Sequence, residues 1–410
     1  MNTWGILIFA ITYLLISAGR VRALGLDRPA GALFGAVACV ALGVLTPEDA
    51  LSAVDGDTLL LLFGVMGMGA FLARGEFLEH LEARVTRWAR TPARLLGVIV
   101  WGAGLLSPLI TNDAVCVLAA PSVVRLIRKH GLPPLPYLLA LATAANTGSV
   151  ATLVGNPQNM LCGLLGDLSY RSHLALLGPV ALVGLAANHA ILLLFFRKEI
   201  STIQLEVTDV APGGMSFRTK LTLAVILSTA VAYALGAHLA WTAAAGFVIL
   251  LLVQRVDARE LWPRIDWALL LFFTGLFVVV EGLARSGAPA WLFARLPLTL
   301  DPGSMTSGLK LTAVFLVGSN VVSNVPFILL VKEQITHLPE PRLGWELLAM
   351  ASTFAGNLTL IGSVANLIVA EAARDIGGMR FFAYLRVGLP VALSTALIGA
   401  AWLMLVHPAL

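Results

Sequence analysis

Ser107-Pro108-Leu109-Ile110-Thr111-Asn112-Asp113 interrupts an apolar stretch running from 95 to 124, and Ser319-Asn320-Val321-Val322-Ser323-Asn324-Val325-Pro326 interrupts a second from 308 to 331. Both keep a hydroxyl, three residues, a second hydroxyl and then Asn, at an offset of 212. In hydrocarbon, unwound backbone survives only where it is buried in protein or lines a cavity. Each stretch is therefore expected to be a re-entrant helical hairpin whose polar tip sits at membrane depth.

The rest of the chain makes the bilayer its solvent. Of 410 residues, 58% are hydrophobic and 12% charged, with a mean hydropathy of +0.89, more apolar surface than a water-soluble globule can bury. Apolar runs at 3–19, 30–46, 58–73, 135–165, 173–196, 219–236, 238–254, 267–283, 345–372 and 382–406 predict about ten crossings of roughly 20 residues each in one all-α membrane domain. No basic stretch precedes the first run, and Arg20 and Arg22 follow it, so it is expected to stay as a helix and not be cleaved as a signal. Cys39, Cys116 and Cys162 lie in apolar segments at spacings that fit neither a metal site nor a disulfide framework. Arginines scattered in loops without interleaved aromatics argue against nucleic-acid binding.

If both interrupted stretches enter and leave on one face, loops at 20–28, 74–94, 125–134, 197–220, 255–264 and 374–386 share a side and carry 21 of the 27 Lys and Arg. Arg171, Arg285, Arg295, Lys310, Lys332 and Arg342 fall opposite. The positive-inside rule makes the arginine-rich side cytoplasmic and puts both termini outside, in a multi-pass protein of the plasma (inner) membrane. Reading either stretch as a plain crossing would swap the later loops and dilute this bias.

An internal repeat accompanies the charges. Thr152-Leu153-Val154-Gly155 with Asn159 recurs as Thr359-Leu360-Ile361-Gly362 with Asn366, and Leu59-Leu60-Leu61-Leu62-Phe63 recurs as Leu269-Leu270-Leu271-Phe272-Phe273. Corresponding helices lie five crossings apart, an odd number, so the halves 1–205 and 206–410 are expected to insert with opposite orientation. The first hairpin would enter from the cytoplasm and the second from outside, tips meeting at one site, as in secondary transporters. Alternating access of an elevator type follows.

Hydroxyl and amide oxygens beside freed carbonyls make a hard-oxygen cage for a small cation such as sodium, and the half-helix starting at each tip presents its positive end to an anion. Capping is the competing role for Asn112, Asp113 and Asn324, since broken helices in lipid need partners. The partner segments carry Asn146, Thr147, Gly148 and Ser149 with Gly155, Asn156, Pro157, Gln158 and Asn159, and Gly356 and Asn357 with Gly362, Ser363 and Asn366. Such density implies unwound stretches facing a cavity, or close helix packing through small residues and amides. Asp113 stands out, because a carboxylate at membrane depth must pair with a cation or carry a proton. His189 is read as making a structural hydrogen bond, and Glu281 and Glu371 as interfacial or paired.

At these motifs the chain resembles the ion transporter superfamily, which includes divalent anion/sodium symporters, citrate transporters, arsenite permeases and NhaD-type sodium/proton antiporters. The resemblance spans essentially the whole chain. It implies one sodium-like site at Ser107, Thr111, Asn112 and Gly155, and another at Ser319, Ser323, Asn324 and Gly362; Asp113, by its buried charge alone, is expected to be a further cation or proton ligand. It implies substrate contacts at Asn112, Asp113, Asn156, Asn324, Val325 and Ser363. Asp113 and Val325 stand where dicarboxylate carriers have threonines, so a dicarboxylate would meet a like charge and a side chain without a donor. The Asn-Asp tip, the Asn-Val-Pro tip and Gly356-Asn357-Leu358 leading to Gly362-Ser363 resemble the arsenite permease branch.

The expected activity is therefore secondary transport of a small anion or oxyacid coupled to protons or sodium. Sodium/proton antiport and arsenite or antimonite efflux are the alternatives. A channel suits two broken hairpins less well. No HExxH, no GxSxG and no paired Cys and His on a common face occurs, which argues against an intramembrane enzyme. The expected partners are the bilayer, the solute and a second copy in a homodimer, with no cofactor beyond sodium or protons.

Overall fold

The computed structural model describes residues 2–17, 20–21, 26–200 and 214–407; the division between residues 205 and 206, and Arg22, lie outside them. The first half holds α1 (Thr3–Ser17), β1 (Arg20–Val21), β2 (Leu26–Asp27), α2 (Arg28–Ala41), α3 (Pro47–Ser52), α4 (Gly56–Arg74) and α5 (Phe77–Trp88). Next come α6 (Pro92–Ile110), α7 (Asn112–His130), α8 (Pro134–Ser149), α9 (Pro157–Leu165) and α10 (Tyr170–Phe195). The second half holds α11 (Phe217–Ala234), α12 (Leu239–Gln254), α13 (Trp267–Arg285), α14 (Ala288–Arg295), α15 (Met305–Val322), α16 (Asn324–Thr336), α17 (Pro341–Ala355), α18 (Val364–Ala372) and α19 (Phe381–Val406). The all-helical expectation holds but for a two-residue antiparallel ladder of β1 on β2.

Helix starts follow from short polar residues and prolines in the sequence. Asp55 accepts the Thr58 amide at 2.6 Å to open α4, Asp266 accepts that of Leu269 at 2.9 Å to open α13, and Thr91 caps α6 ahead of Pro92; such caps satisfy amides a helix cannot pair internally. Seven described helices are long and apolar enough to cross a bilayer alone, α6 and α15 among them.

The chain doubles back at both tips. Val98, Ile99 and Leu106 of α6 share an apolar cleft with Ser122, Val123 and Leu126 of α7. Phe315 of α15 and Phe327 of α16 stack edge to face at 6.2 Å, whereas a continuous helix would hold residues twelve apart at about 18 Å.

The halves interlock by exchange. Helices α1 and α2 pack on α13, and α11 and α12 pack on α4. A Cβ on Gly64 of α4 would meet the Ala243 backbone of α12 at 2.5 Å, and one on Gly275 of α13 would meet the Ala32 backbone of α2 at 2.6 Å, so glycine is what lets each pair of backbones approach. At the centre lie α8 and α17, buried on every side from Pro136 to Ser149 and from Leu343 to Ala355. The outer wall, with Leu227, Val231, Trp241 and Leu252 exposed, presents apolar side chains as a lipid-facing surface does.

Candidate functional site

Both breaks fall on a hydroxyl residue in backbone space that is nearly reserved for glycine. Thr111 has φ 81° and ψ 147°, and Ser323 has φ 69° and ψ 151°, a strain of about 1–3 kcal/mol each. Thr111 recovers part of it, since its Oγ1 accepts the Ala114 amide at 3.3 Å and caps α7; Ser323 makes no such cap bond. Each tip is pinned to the unwound stretch of its own half. The Asn112 amide donates to the Gly155 carbonyl at 2.9 Å and Thr152 Oγ1 to the Pro108 carbonyl at 2.7 Å. In the second half Asn324 Nδ2 donates to the Gly362 carbonyl at 3.1 Å and Asn320 Nδ2 to the Ala355 carbonyl at 3.1 Å.

The unwound stretches are held open by asparagines. Asn159 Nδ2 donates to the Thr152 carbonyl at 2.9 Å, and Asn366 Nδ2 to those of Gly356 at 2.7 Å and Thr359 at 3.1 Å. Asn146 Oδ1 accepts from Asn112 Nδ2 of its own half at 2.9 Å and, across the halves, from Ser363 Oγ at 3.0 Å, while its Nδ2 donates across to Asn357 Oδ1 at 3.1 Å and Asn366 Oδ1 at 3.0 Å. Thr353, which is 207 residues beyond Asn146, accepts from Asn156 Nδ2 at 3.0 Å and donates to Asn159 Oδ1 at 2.8 Å. The pairs are reciprocal: Asn146 meets Ser363 and Asn366, and its counterpart Thr353 meets theirs, Asn156 and Asn159. Reciprocal pairing is what a two-fold relation produces.

A cavity of about 400 Å³ opens between the tips. Asn112, Asp113, Ser319, Ser323, Asn324, Val325, Gly362 and Ser363 line it. Ser107, Thr111, Gly155 and Asn156 do not. Asn156 departs from its expected contact because its side chain turns inward, capping α9 through the Asn159 amide at 2.8 Å while donating to Ser149 and Thr353. The tip of α7 also reaches the second half, where α7 packs on α18 and the Asp113 carboxylate faces the Ala365 amide in the first turn of α18, a place where helix dipole and orphan amides favour negative charge.

Four cavity-lining residues carry a buried oxygen without a hydrogen-bond partner: Asn112 Oδ1, Asp113 Oδ1, Gln158 Oε1 and Ser319 Oγ. All four can accept, and only the serine hydroxyl can also donate. Arg28 and Asp266 line the same space and were not foreseen. Both sit at helix starts among loop charges, and Asp266 caps α13 as well, so nothing in the sequence separates them from ordinary caps; Gln158 stood in a polar cluster but carried no distinguishing mark.

Each expected cation set retains a buried, unpartnered oxygen. In the first, Ser107 Oγ donates to the Ala145 carbonyl at 2.6 Å, Thr111 Oγ1 caps α7 and the Gly155 carbonyl holds the Asn112 amide, while Asn112 Oδ1 is unpartnered. In the second, Ser319 Oγ is unpartnered. Each is a hard oxygen suited to sodium.

Residues 7–355 match the family of citrate transporters. The chain belongs to that family. Its relatives include the silicon efflux transporter LSI3 of Oryza sativa subsp. japonica, 31% identical with 96% of each chain covered. The putative transporter arsB of Dictyostelium discoideum is 25% identical over 98% of this chain and 92% of its own, and the inner membrane protein YbiR of Escherichia coli K12 is 29% identical over 88% and 90%. The crystal structure of the Alcanivorax borkumensis YdaH transporter shares the fold, with a TM-score of 0.54 at 14% identity, covering 99% of this chain and 97% of that one. The protein is a multi-span membrane transporter and not an enzyme.

Proposed function

We propose that the protein carries a small, undissociated oxyacid through the cavity between the tips, coupled to protons or sodium at Asp113 and the tip oxygens. The unpartnered oxygens support this most directly. The unpartnered oxygens recognise a solute that donates hydrogen bonds, as the hydroxyls of arsenous or silicic acid do, whereas a fully ionised dicarboxylate would face them, the Asp113 carboxylate and the donorless Val325, with Arg28 of the lining as a cation to set against it. The relative named for silicon efflux and the motifs shared with arsenite permeases point the same way. Reciprocal contacts between the halves and two fold-back tips support the inverted-repeat, elevator-type reading, with the arginine-rich side cytoplasmic and both termini outside.

Proteoliposomes loaded with arsenite or silicic acid test the proposal. An imposed pH or sodium gradient should drive flux above that of protein-free vesicles. Asp113→Asn should abolish the gradient drive while leaving exchange of solute for solute. Flux of citrate alone, or of neither oxyacid under any gradient, would rule the reading out. A second reading, sodium/proton antiport, is favoured by the free Ser319 oxygen beside Ser323 and Asn324; sodium-dependent proton flux without any oxyacid, lost in Ser319→Ala, would support it.

A further inference from the structure

A carboxyl group and an imidazole are buried together where the halves meet, outside the cavity. His173 of α10 is 0% exposed and Glu346 of α17 is 1% exposed. His173 Nδ1 lies 2.6 Å from Glu346 Oε2, and His173 Nε2 lies 3.1 Å from the Val150 carbonyl. A carbonyl only accepts, so Nε2 carries hydrogen. The short contact on the other side then needs a second proton between Nδ1 and Oε2, since two lone pairs would repel there. Whether it rests on nitrogen or oxygen, the pair is neutral and holds one shared proton.

A small cavity adjoins the pair. Glu346 Oε1 is buried without a partner, and Glu346 lines a small cavity of about 20 Å³ with Arg342 and His407, room for about one water. His407 lies 3.8 Å from Glu340. The inner end of the pair meets the substrate machinery: the Val150 carbonyl also accepts from Asn159 Nδ2 at 3.3 Å, and Asn159 holds the unwound stretch whose Gly155 carbonyl anchors the first tip.

We propose that His173 and Glu346 form a second proton-binding site of this carrier, loaded and emptied through the cavity beside Arg342 and His407, whose charge state acts on the unwound stretch through the Val150 carbonyl. This rests on the proton-coupled reading above. On release, the shared proton passes to water in the small cavity, leaving a neutral imidazole with hydrogen on Nε2 and a Glu346 carboxylate; on loading it returns between Nδ1 and Oε2. Arg342 offsets the transient negative charge. The other ionisable groups near the pair are Cys162 of α9, beside Glu346, and Tyr170 of α10 against Tyr233 of α11. On the remaining packed helices, Arg94 of α6, Arg171 of α10, Lys310 of α15 and Glu333 of α16 are exposed, and Lys332 lines a separate cleft with Asp55 and Asp57.

Infrared difference spectroscopy of the full chain in vesicles, titrated over about pH 5 to 9 where glutamate and histidine side chains ordinarily change state or can be shifted to do so, tests this without a transported solute. The expected result is a pH-dependent signal that moves on carbon-13 labelling of glutamate and on nitrogen-15 labelling of histidine, and is lost in Glu346→Gln and in His173→Gln. Glu346 is the only buried glutamate among the described residues, so the labelled wild type decides even if a variant fails to fold. No labelled band titrating, or one that persists in Glu346→Gln, overturns the proposal and leaves a structural pair. A titrating pair without oxyacid flux would instead sink the transport reading alone.

Discussion

Asn146→Ala should be the most damaging single truncation at the centre of the molecule. It removes four hydrogen bonds, two accepted and two donated. Asn112 Nδ2 and Ser363 Oγ belong to cavity-lining residues and can rehydrate, so their loss costs only the mean value for an intramembrane bond, about 0.6 kcal/mol each. Asn357 and Asn366 are 0% exposed, and their Oδ1 atoms would be stranded at about 1–3 kcal/mol each. The total is about 3–7 kcal/mol, with the lower end favoured if α8 relaxes. Thr353→Ala, at the corresponding place in the second half, loses two bonds; Asn156 Nδ2 keeps Ser149 Oγ, while Asn159 Oδ1, on a residue 0% exposed, is stranded. It should cost about 2–4 kcal/mol, less than Asn146→Ala because one amide oxygen is stranded and not two. Equilibrium unfolding in mixed micelles measures both. Equal losses, or a loss below about 1 kcal/mol for Asn146→Ala, would refute the reasoning that this amide gathers four buried bonds.

Three further outcomes follow from local geometry. Ser323→Gly should stabilise by about 1 kcal/mol by relieving the positive φ, whereas Thr111→Gly should be nearly neutral because it also loses the α7 cap, worth about 1 kcal/mol; thermal midpoints of the pair decide. Gly64→Val and Gly275→Val should each destabilise by about 1–3 kcal/mol through overpacking at matched crossings, and a variant of either that unfolds like wild type would contradict the close approach. Asp49 in α3 accepts Arg285 Nη1 at 2.6 Å and Nη2 at 2.9 Å, and these bonds from Arg285 hold its carboxyl below the usual aspartate range. A depressed value means that this contribution is complete above about pH 3.9 and fades as pH falls through the lowered value. Asp49→Asn should therefore lower the thermal midpoint at pH 7 and leave it unchanged in strong acid.

The breaks at Thr111 and Ser323 were legible because hydrocarbon tolerates few polar side chains, so Ser, Thr and Asn inside an apolar run must be doing something there. The caps at Asp55, Asp266 and Thr91 came from the structure, although each residue stands just ahead of an apolar stretch. Side-chain direction was not. Asn156 sits in a conspicuous polar run, yet whether it faces solute or Thr353 depends on the rotation of an unwound segment, which has no fixed period to read. Arg28 and Asp266 reach the cavity through tertiary packing alone. His173 and Glu346 are separated by 173 residues, and each looks like an isolated polar group near a helix end until α10 and α17 are brought together.

The exchange of contacts between Asn146 and Ser363 on one side and Thr353 and Asn156 on the other has a historical consequence. Two copies of a half-length protein, facing opposite ways in one membrane, would make both contacts with identical residues. In such an ancestor every substitution at this position would have been felt twice, so asparagine could not be kept on one side and threonine on the other. If the two halves descend from such a segment, as the proposed inverted repeat implies, duplication and fusion would have lifted that restriction, and the four-bond asparagine and the two-bond threonine would measure how far they have since specialised.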